Sequence, residues 1–436
     1  MAAAGSGTSA GTIDPAAVDQ VAGLARAAKV ASRRLALMSR TAKDDALHAM
    51  ADALEAATPH LIEANAEDQQ RGRDAGLADG LLDRLLLDER RIAAIAGAVR
   101  DIARLSDPVG EVVRGSTLAN GLQIRQIRVP MGVVGMIYEA RPNVTVDAAA
   151  LSLKSGNAVI LRGGSAAASS NRALVGVMRA ALTAQGVDAD SVCLLDGGGR
   201  DAARALMTAR GLVDLVIPRG GADLIQTVVR ESTVPVIETG IGVNHVYVDA
   251  AADLDMAHDI AVNAKVQRPS VCNAAESLLV HEAVAEAFLP KILADLGSAG
   301  VTLHAAEEVG PYAAAAGAAY QPATDEDFGT EWHALDISVR IVPSLDAAMD
   351  HIRSYGTQHT EVIVTQDRTA ARRFTAEVDA AVVVVNASSR FTDGGEFGFG
   401  AEIGISTQKL HARGPMALPE LTTTKWVVEG DGQIRT

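Results

Sequence analysis

Gly132-Val-Val-Gly-Met-Ile-Tyr138, a helix-like stretch over 142–155, and Ala158-Val-Ile-Leu161 form the part of the chain on which the fold turns. Two short apolar runs flank a segment of helical length. Continuous apolar runs of this kind mark strands buried on both faces. The pattern continues with strands at 192–195, 215–217 and 235–237 and helices over 166–185, 200–209 and 221–230. Strand, helix, strand in repetition predicts a parallel, doubly wound α/β sheet. In such sheets ligands bind beyond the C-terminal strand ends. Those ends read Tyr138-Glu-Ala-Arg141, Arg162-Gly-Gly-Ser165, Asp196-Gly-Gly-Gly199 and Pro218-Arg-Gly-Gly221. Each offers glycine or a polar cluster where a phosphate-rich cofactor needs close backbone approach.

None of these ends has the G-x-G-x-x-G spacing of the dinucleotide fingerprint. Arg162 says more. An NAD site sets an acidic residue near such a strand end for the ribose hydroxyls, whereas a basic one suits the 2′-phosphate of NADPH. The competing reading of Arg162 is a solvated strand-end charge.

Outward from this block, residues 15–105 read as helices, with Leu47, Met50 and Leu54 on one stripe. Residues 111–130 alternate apolar with polar around the turn Asn120-Gly121, a hairpin with one wet face. Its other face needs a partner, and the tail strand Leu421–Val428 alternates in the same way and suits pairing with it. A second alternating block runs from Asn244 to about residue 410, with strands at 246–248, 339–342, 361–365 and 381–385.

That second block holds Asn263-Ala-Lys-Val-Gln-Arg-Pro-Ser-Val-Cys-Asn273. A helix runs into it from Asp253, a suitable N-cap, and Pro269 stops that helix by pushing Arg268 out of the α region. Cys272 is thus set at an irregular break before a strand-like run, 277–280. Such breaks leave backbone N–H groups available to an oxyanion, and Lys265 and Arg268 would favour the thiolate. The residues alone leave two readings open, a nucleophile or a small buried hydrophobe.

Length and composition bound the rest. At 436 residues the chain has room for roughly three domains. Aromatics are 3%, so Ala, Val, Leu and Ile must fill the core. A net charge of −15 excludes a general attraction to nucleic acid or anionic membranes, and an anionic substrate would need a locally basic site. Cys193 and Cys272, the only two cysteines, give no disulfide framework and point to a reducing cytoplasm. No apolar run is long enough to span a bilayer. Residues 1–13, rich in Ala, Gly, Ser and Thr, read as a disordered tail rather than a signal peptide. His351 and His359 flank Tyr355-Gly356 without metal-ligand spacing, so no metal is expected and structural hydrogen bonding is the better reading. A Ser-His-Asp hydrolase lacks its G-x-S-x-G elbow.

Several stretches are similar to the γ-glutamyl phosphate reductase family, the glutamate-5-semialdehyde dehydrogenases. They are Val133–Thr145, Lys154–Gly164, Val216–Gly221, Asn263–Asn273 and Asp350–Ile363. The resemblance runs from about residue 20 to the C-terminus, with one departure at Met349, where a branched aliphatic residue is expected. It implies the aldehyde dehydrogenase-like architecture: two doubly wound α/β domains and a small β oligomerisation arm. On this chain that means the tail 1–13, an NADPH-binding domain of 14–109 and 131–240, a catalytic domain of 241–412, and an arm of 110–130 with 413–436.

The resemblance further implies NADPH-dependent reduction of L-glutamyl 5-phosphate to glutamate 5-semialdehyde and phosphate, in proline biosynthesis. Cys272 becomes the nucleophile, and its backbone N–H, with the Asn143 side chain, holds the oxyanion. An ungapped alignment sets the superfamily's oxyanion asparagine nearer Glu139. Cofactor contacts fall to Arg162, Gly163, Gly164, Ser165, Arg219, Gly220 and Gly221. Arg268, Arg141, Lys265, Arg390 and Arg413 are the candidates for the substrate's phosphate and α-carboxylate. The runner-up is a hydrolytic NAD(P)-dependent aldehyde dehydrogenase, for which Glu238 lies roughly where the general base would come. The intact Cys272 stretch and the basic Arg162 turn argue against a non-catalytic scaffold. A homo-oligomer is expected, and the labile acyl phosphate gives a reason for transient contact with glutamate 5-kinase.

Overall fold

The computed structural model describes residues 13–139 and 141–435, so the expected tail lies outside the described residues apart from Ile13. The chain divides into two compact units, residues 1–237 with 418–436, and residues 238–417.

The first unit holds strands β1 (Val112–Thr117), β2 (Gln123–Pro130), β3 (Val133–Tyr138), β4 (Ala158–Gly163), β5 (Val192–Leu194) and β6 (Leu215–Arg219). Four of them form a parallel sheet in the order β5-β4-β3-β6. Every residue of β3 is buried, which is why it reads as an unbroken apolar run. Helices Pro142–Lys154, Ala168–Ala184 and Gly199–Thr208 make the crossovers, and Ala222–Glu231 follows β6. Three of the N-terminal helices, Pro15–Leu35, Arg40–Ala56 and Glu89–Arg104, start at side-chain caps, Asp14, Ser39 and Asp88, and each buries a stripe. In Glu89–Arg104 that stripe is Ile92, Ile95, Ala96, Val99 and Ile102.

The strand expected at 235–237 is only an isolated bridge, Val216 to Val236. Pro235 has no N–H for a ladder, so the segment cannot extend the pairing. The hairpin β1–β2 turns at Gly121 with φ +87°, and the C-terminal strand Thr422–Glu429 pairs antiparallel with β2. Val112, Val113, Trp426 and Val428 on this three-stranded sheet are exposed.

The second unit is a seven-stranded parallel sheet. Its strands are β7 (Asn244–Val248), β8 (Ala275–His281), β9 (Thr302–Ala305), β10 (Tyr320–Pro322), β11 (Asp336–Val342), β12 (Thr360–Val364) and β13 (Val382–Val385). Their order is β10-β9-β11-β8-β7-β12-β13. Two further short strands, Gly404–Ser406 and Gly414–Met416, pair as an antiparallel ribbon. Val246, Leu278, Val339 and Val362 from the sheet meet Phe288, Leu289, Ile292 and Leu296 of helix Glu282–Ser298 in the core. The sequence pattern shows neither β9 and β10 nor helices Gly310–Ala316 and Arg368–Glu377.

Candidate active site

Helix Leu254–Val266 begins at Asp253, whose carboxylate accepts from the Asp255 and Met256 N–H groups. It ends ahead of Pro269, and β8 starts at Ala275. Cys272 sits between them in a turn closed by the Ala274 N–H on the Val271 carbonyl, 3.0 Å. Asn273 ties this turn to the loop after β13. Its Nδ2 donates to the Thr392 carbonyl at 2.8 Å, and its own carbonyl accepts from Ser389 Oγ at 2.7 Å. Cys272 is partly accessible, whereas Cys193 is buried within β5, and burial with the nearby Asp190 charge pushes its thiol up to about 11.

Two arginines lie beside this turn with no ion-pair partner among the described residues. Arg268 is exposed and makes no hydrogen bond or ion pair among the described residues. Arg390 donates its Nε–H to Gln267 Oε1 at 2.8 Å and has no carboxylate partner among the described residues. Burial, and next the charge of Arg268, pull its guanidinium below the ordinary value, while the charges of Asp393 and Cys272 oppose. Paired cations of this kind favour an anion, and arginine forks suit phosphate and carboxylate oxygens.

The remaining substrate candidates stand differently. Lys265 is a correction: it is fully buried and paired with the equally buried Glu276 at 2.6 Å. Burial lowers its pKa, and burial likewise pushes Glu276 up to about 7 against the pull of Lys265. Lys265 therefore serves the interior and does not reach out to a phosphate. Arg413 is another correction, since its guanidinium is engaged by Asp379 at 2.7 Å and Lys409 shares that carboxylate. Arg141 stands at the N-cap position of helix Pro142–Lys154 in the first unit.

In the first unit Asn143 is exposed on the opening turn of that helix, and its amide donates to Asp147 at 3.1 Å. Burial pushes the Asp147 carboxyl up to about 6 against this bond and the nearby Arg219 charge. Arg162, at the end of β4, donates to the carbonyls of Gly163 and, at 2.8 Å, Gly199. Its buried Nε has no partner, and burial lowers its pKa against the nearby Asp196. Gly163 is required by packing: a Cβ there would come within 2.2 Å of Asn171 Nδ2. Gly164 and Ser165 lead into helix Ala168–Ala184.

Internal carboxylates fill two of the helix starts that would otherwise cradle a phosphate. Asp68 accepts from the Ser169 and Ser170 N–H groups at 3.1 and 2.7 Å. Glu139 accepts from the Gly221 N–H at 2.9 Å, and a Cβ on Gly220 would lie 2.7 Å from that carboxylate. Gly220 thus makes room for Glu139, which corrects the expectation of an open phosphate cradle at Gly220 and Gly221. Helix Gly199–Thr208 differs, beginning after Gly198 at φ +66° with no side-chain cap. Glu238 donates its backbone N–H to Gln408 Oε1 at 3.1 Å.

His351 is neutral and buried, its pKa lowered to about 3 chiefly by burial, with His245 and Arg340 adding to it. His245 Nδ1 meets the buried Glu361 at 2.9 Å, and His359 Nδ1 lies 2.9 Å from Thr360 Oγ1. Among the described residues no three or more His, Cys, Asp or Glu side chains gather to hold a metal, and no helix is long and apolar enough to cross a membrane. Sequence reasoning missed Asp68, Glu276 and the contact that Glu139 makes. Only Glu139 carried a signal, as a carboxylate directly after a strand.

A parallel-sheet unit with polar strand ends, and a second unit presenting a cysteine between a stopped helix and a strand, define the class. The pattern of the aldehyde dehydrogenase family matches residues 3–320. The chain is 62% identical over 417 residues to γ-glutamyl phosphate reductase of Kineococcus radiotolerans, covering 96% of each chain. It is 60% identical over 412 residues to that of Thermobifida fusca, covering 94% of this chain and 98% of the relative. The crystal structure of γ-glutamyl phosphate reductase from Thermotoga maritima superimposes with a TM-score of 0.93 at 44% identity, covering 96% of this chain and all of that one. The chain belongs to the aldehyde dehydrogenase family and, within it, to the γ-glutamyl phosphate reductases. Aldehyde dehydrogenases use a nicotinamide cofactor.

Proposed function

We propose that this chain reduces L-glutamyl 5-phosphate to L-glutamate 5-semialdehyde and phosphate with NADPH, in proline biosynthesis, through a thioester on Cys272. The observation that carries the mechanism is the Cys272 turn with two guanidiniums, Arg268 and Arg390, on the same unit and outside any ion pair among the described residues. Arg268 and Arg390 bind the substrate's phosphate and carboxylate and favour the thiolate. The Cys272 thiolate attacks the acyl carbon, and the C–O bond to phosphate breaks with its electrons leaving on phosphate. Backbone N–H groups of the turn hold the oxyanion.

NADPH, when bound, would supply the hydride that reduces the thioester. The resulting thiohemiacetal then releases the aldehyde and regenerates the thiol. Arg162, with its unpartnered Nε beside the uncapped start of helix Gly199–Thr208, suits a 2′-phosphate. Gly163, Gly164 and Ser165 would line that end of the cofactor site, with Arg219 at the neighbouring strand end. The exposed apolar side chains of the three-stranded sheet support self-association.

Phosphate dependence tests the reading. Run backwards with glutamate 5-semialdehyde and NADP⁺, the enzyme is expected to need inorganic phosphate. A rate independent of phosphate would instead indicate hydrolysis of the thioester to the free acid.

A further inference from the structure

We infer that Asn244 is the positioning residue of the nucleophile, fixing the plane of the Cys272–Asn273 peptide. The inference rests on the reading of Cys272 as nucleophile. Asn244 opens β7 and is fully buried. Its Nδ2 donates to the carbonyls of Cys272 and Ala274, both at 2.7 Å, and approaches that of Gly242 at 3.2 Å. Its Oδ1 accepts the Thr360 N–H at 3.1 Å, so every polar atom of the side chain is engaged. The backbone ahead of it closes on the same carbonyl. A Cβ on Gly242 would lie 1.6 Å from the Cys272 oxygen, so only glycine fits. The Gly242 N–H is in turn held by Glu331 at 2.9 Å.

The sheet makes room for this clamp. Asn244 pairs with Ala275 but His245 pairs with Ser277, leaving Glu276 as the extra residue of a bulge. The bulged Glu276 takes the ion pair with Lys265. Helix end, bulge and clamp therefore brace the two flanks of the Cys272 loop. A trans peptide is planar, so fixing the Cys272 carbonyl also fixes the Asn273 N–H on the opposite side. That N–H makes no hydrogen bond among the described residues. Asn244 thus sets both the bearing of the thiol and a donor aimed away from the core, and it does so without touching substrate.

Asn244→Ser and Asn244→Asp in the full chain test this, read by steady-state kinetics, thermal melting and the pH profile of iodoacetamide alkylation. Cys193 is buried, so alkylation reports Cys272, with Cys272→Ala as the blank. Asn244→Ser, which adds no charge, is expected to lower kcat on the order of 100-fold with KM changed less than about threefold. Asn244→Asp is expected in addition to move the alkylation midpoint to higher pH, because a carboxylate then faces the Cys272 carbonyl. Folded variants with near-wild-type kcat and alkylation would overturn the inference. Failure of both variants to fold would also overturn it, assigning Asn244 to folding. An active Cys272→Ala enzyme would instead remove the nucleophile reading itself, an outcome distinct from either.

Discussion

The turn that carries Cys272 and the turn from β6 into helix Ala222–Glu231 are built from similar parts: a strand end, glycine and clustered charge. They settle their polar groups in opposite ways. Around Cys272 the interior supplies neutral amides to the backbone carbonyls, through Asn273 and Asn244, and leaves Arg268 and Arg390 without an ion-paired carboxylate among the described residues. After β6 the interior supplies a carboxylate, Glu139, to the amide that an incoming phosphate would use. A glycine-rich strand end is therefore no evidence of an anion site until its neighbours are known. What makes the Cys272 region receptive is that neither cation is taken up in an ion pair among the described residues.

The largest effect outside the nucleophile is expected for Lys265→Met. It strands Glu276 in the interior, and breaking a buried pair costs about 3–5 kcal/mol. A chemical-denaturation midpoint close to wild type would show that the pair is dispensable and return Lys265 to the list of solvent-facing cations. Next comes Arg268→Gln. Losing a charged fork to an anion costs roughly 1.5–3 kcal/mol, so KM for the acyl phosphate should rise between about 10-fold and 150-fold. An unchanged KM would place the anion elsewhere.

Sequence reading and structure meet unevenly across these two turns, for physical reasons. The alternation of buried strands and helices was legible because both faces of a parallel strand are covered: β3 and β7 are buried throughout, and β3 reads as an unbroken apolar run. The edge strand β10, Tyr320-Gln-Pro322, is exposed along its length and shows no period. Helix Arg368–Glu377 buries only Ala370 and Phe374, too few to draw a stripe. Cys272 was legible because Pro269 marks the break before it. Lys265 misled, because its partner lies on a different element and is reached through a bulge. Glu139 was visible as a residue, but its contact with Gly221 depends on two strands lying side by side.

A smaller effect concerns the interior of the second unit. His351, against His245, Arg340, Phe328 and Tyr355, has a folded pKa of about 3 against an ordinary 6.5. A depressed folded pKa means stability that is present above pH 6.5 and is lost as pH falls toward 3. The melting temperature should therefore drop more steeply between pH 6.5 and 5 in the wild type than in His351→Leu. Equal slopes would refute a buried neutral imidazole.

The smallest effect is expected for Glu139→Gln. The helix start weakens by about 1 kcal/mol or less, and KM for NADPH changes less than about threefold. A tenfold tightening of the cofactor would break the contrast, because it would mean that Glu139 had been blocking a phosphate cradle.

The central claim is that acyl transfer to the Cys272 thiol links phosphate release to reduction. Its most direct test is NADP⁺ reduction by glutamate 5-semialdehyde, with and without inorganic phosphate, in wild type and Cys272→Ala side by side. The account predicts a phosphate-dependent rate in the wild type and none above background in a Cys272→Ala protein that melts like the wild type. A folded Cys272→Ala enzyme that still reduces NADP⁺ in a phosphate-dependent manner would contradict it.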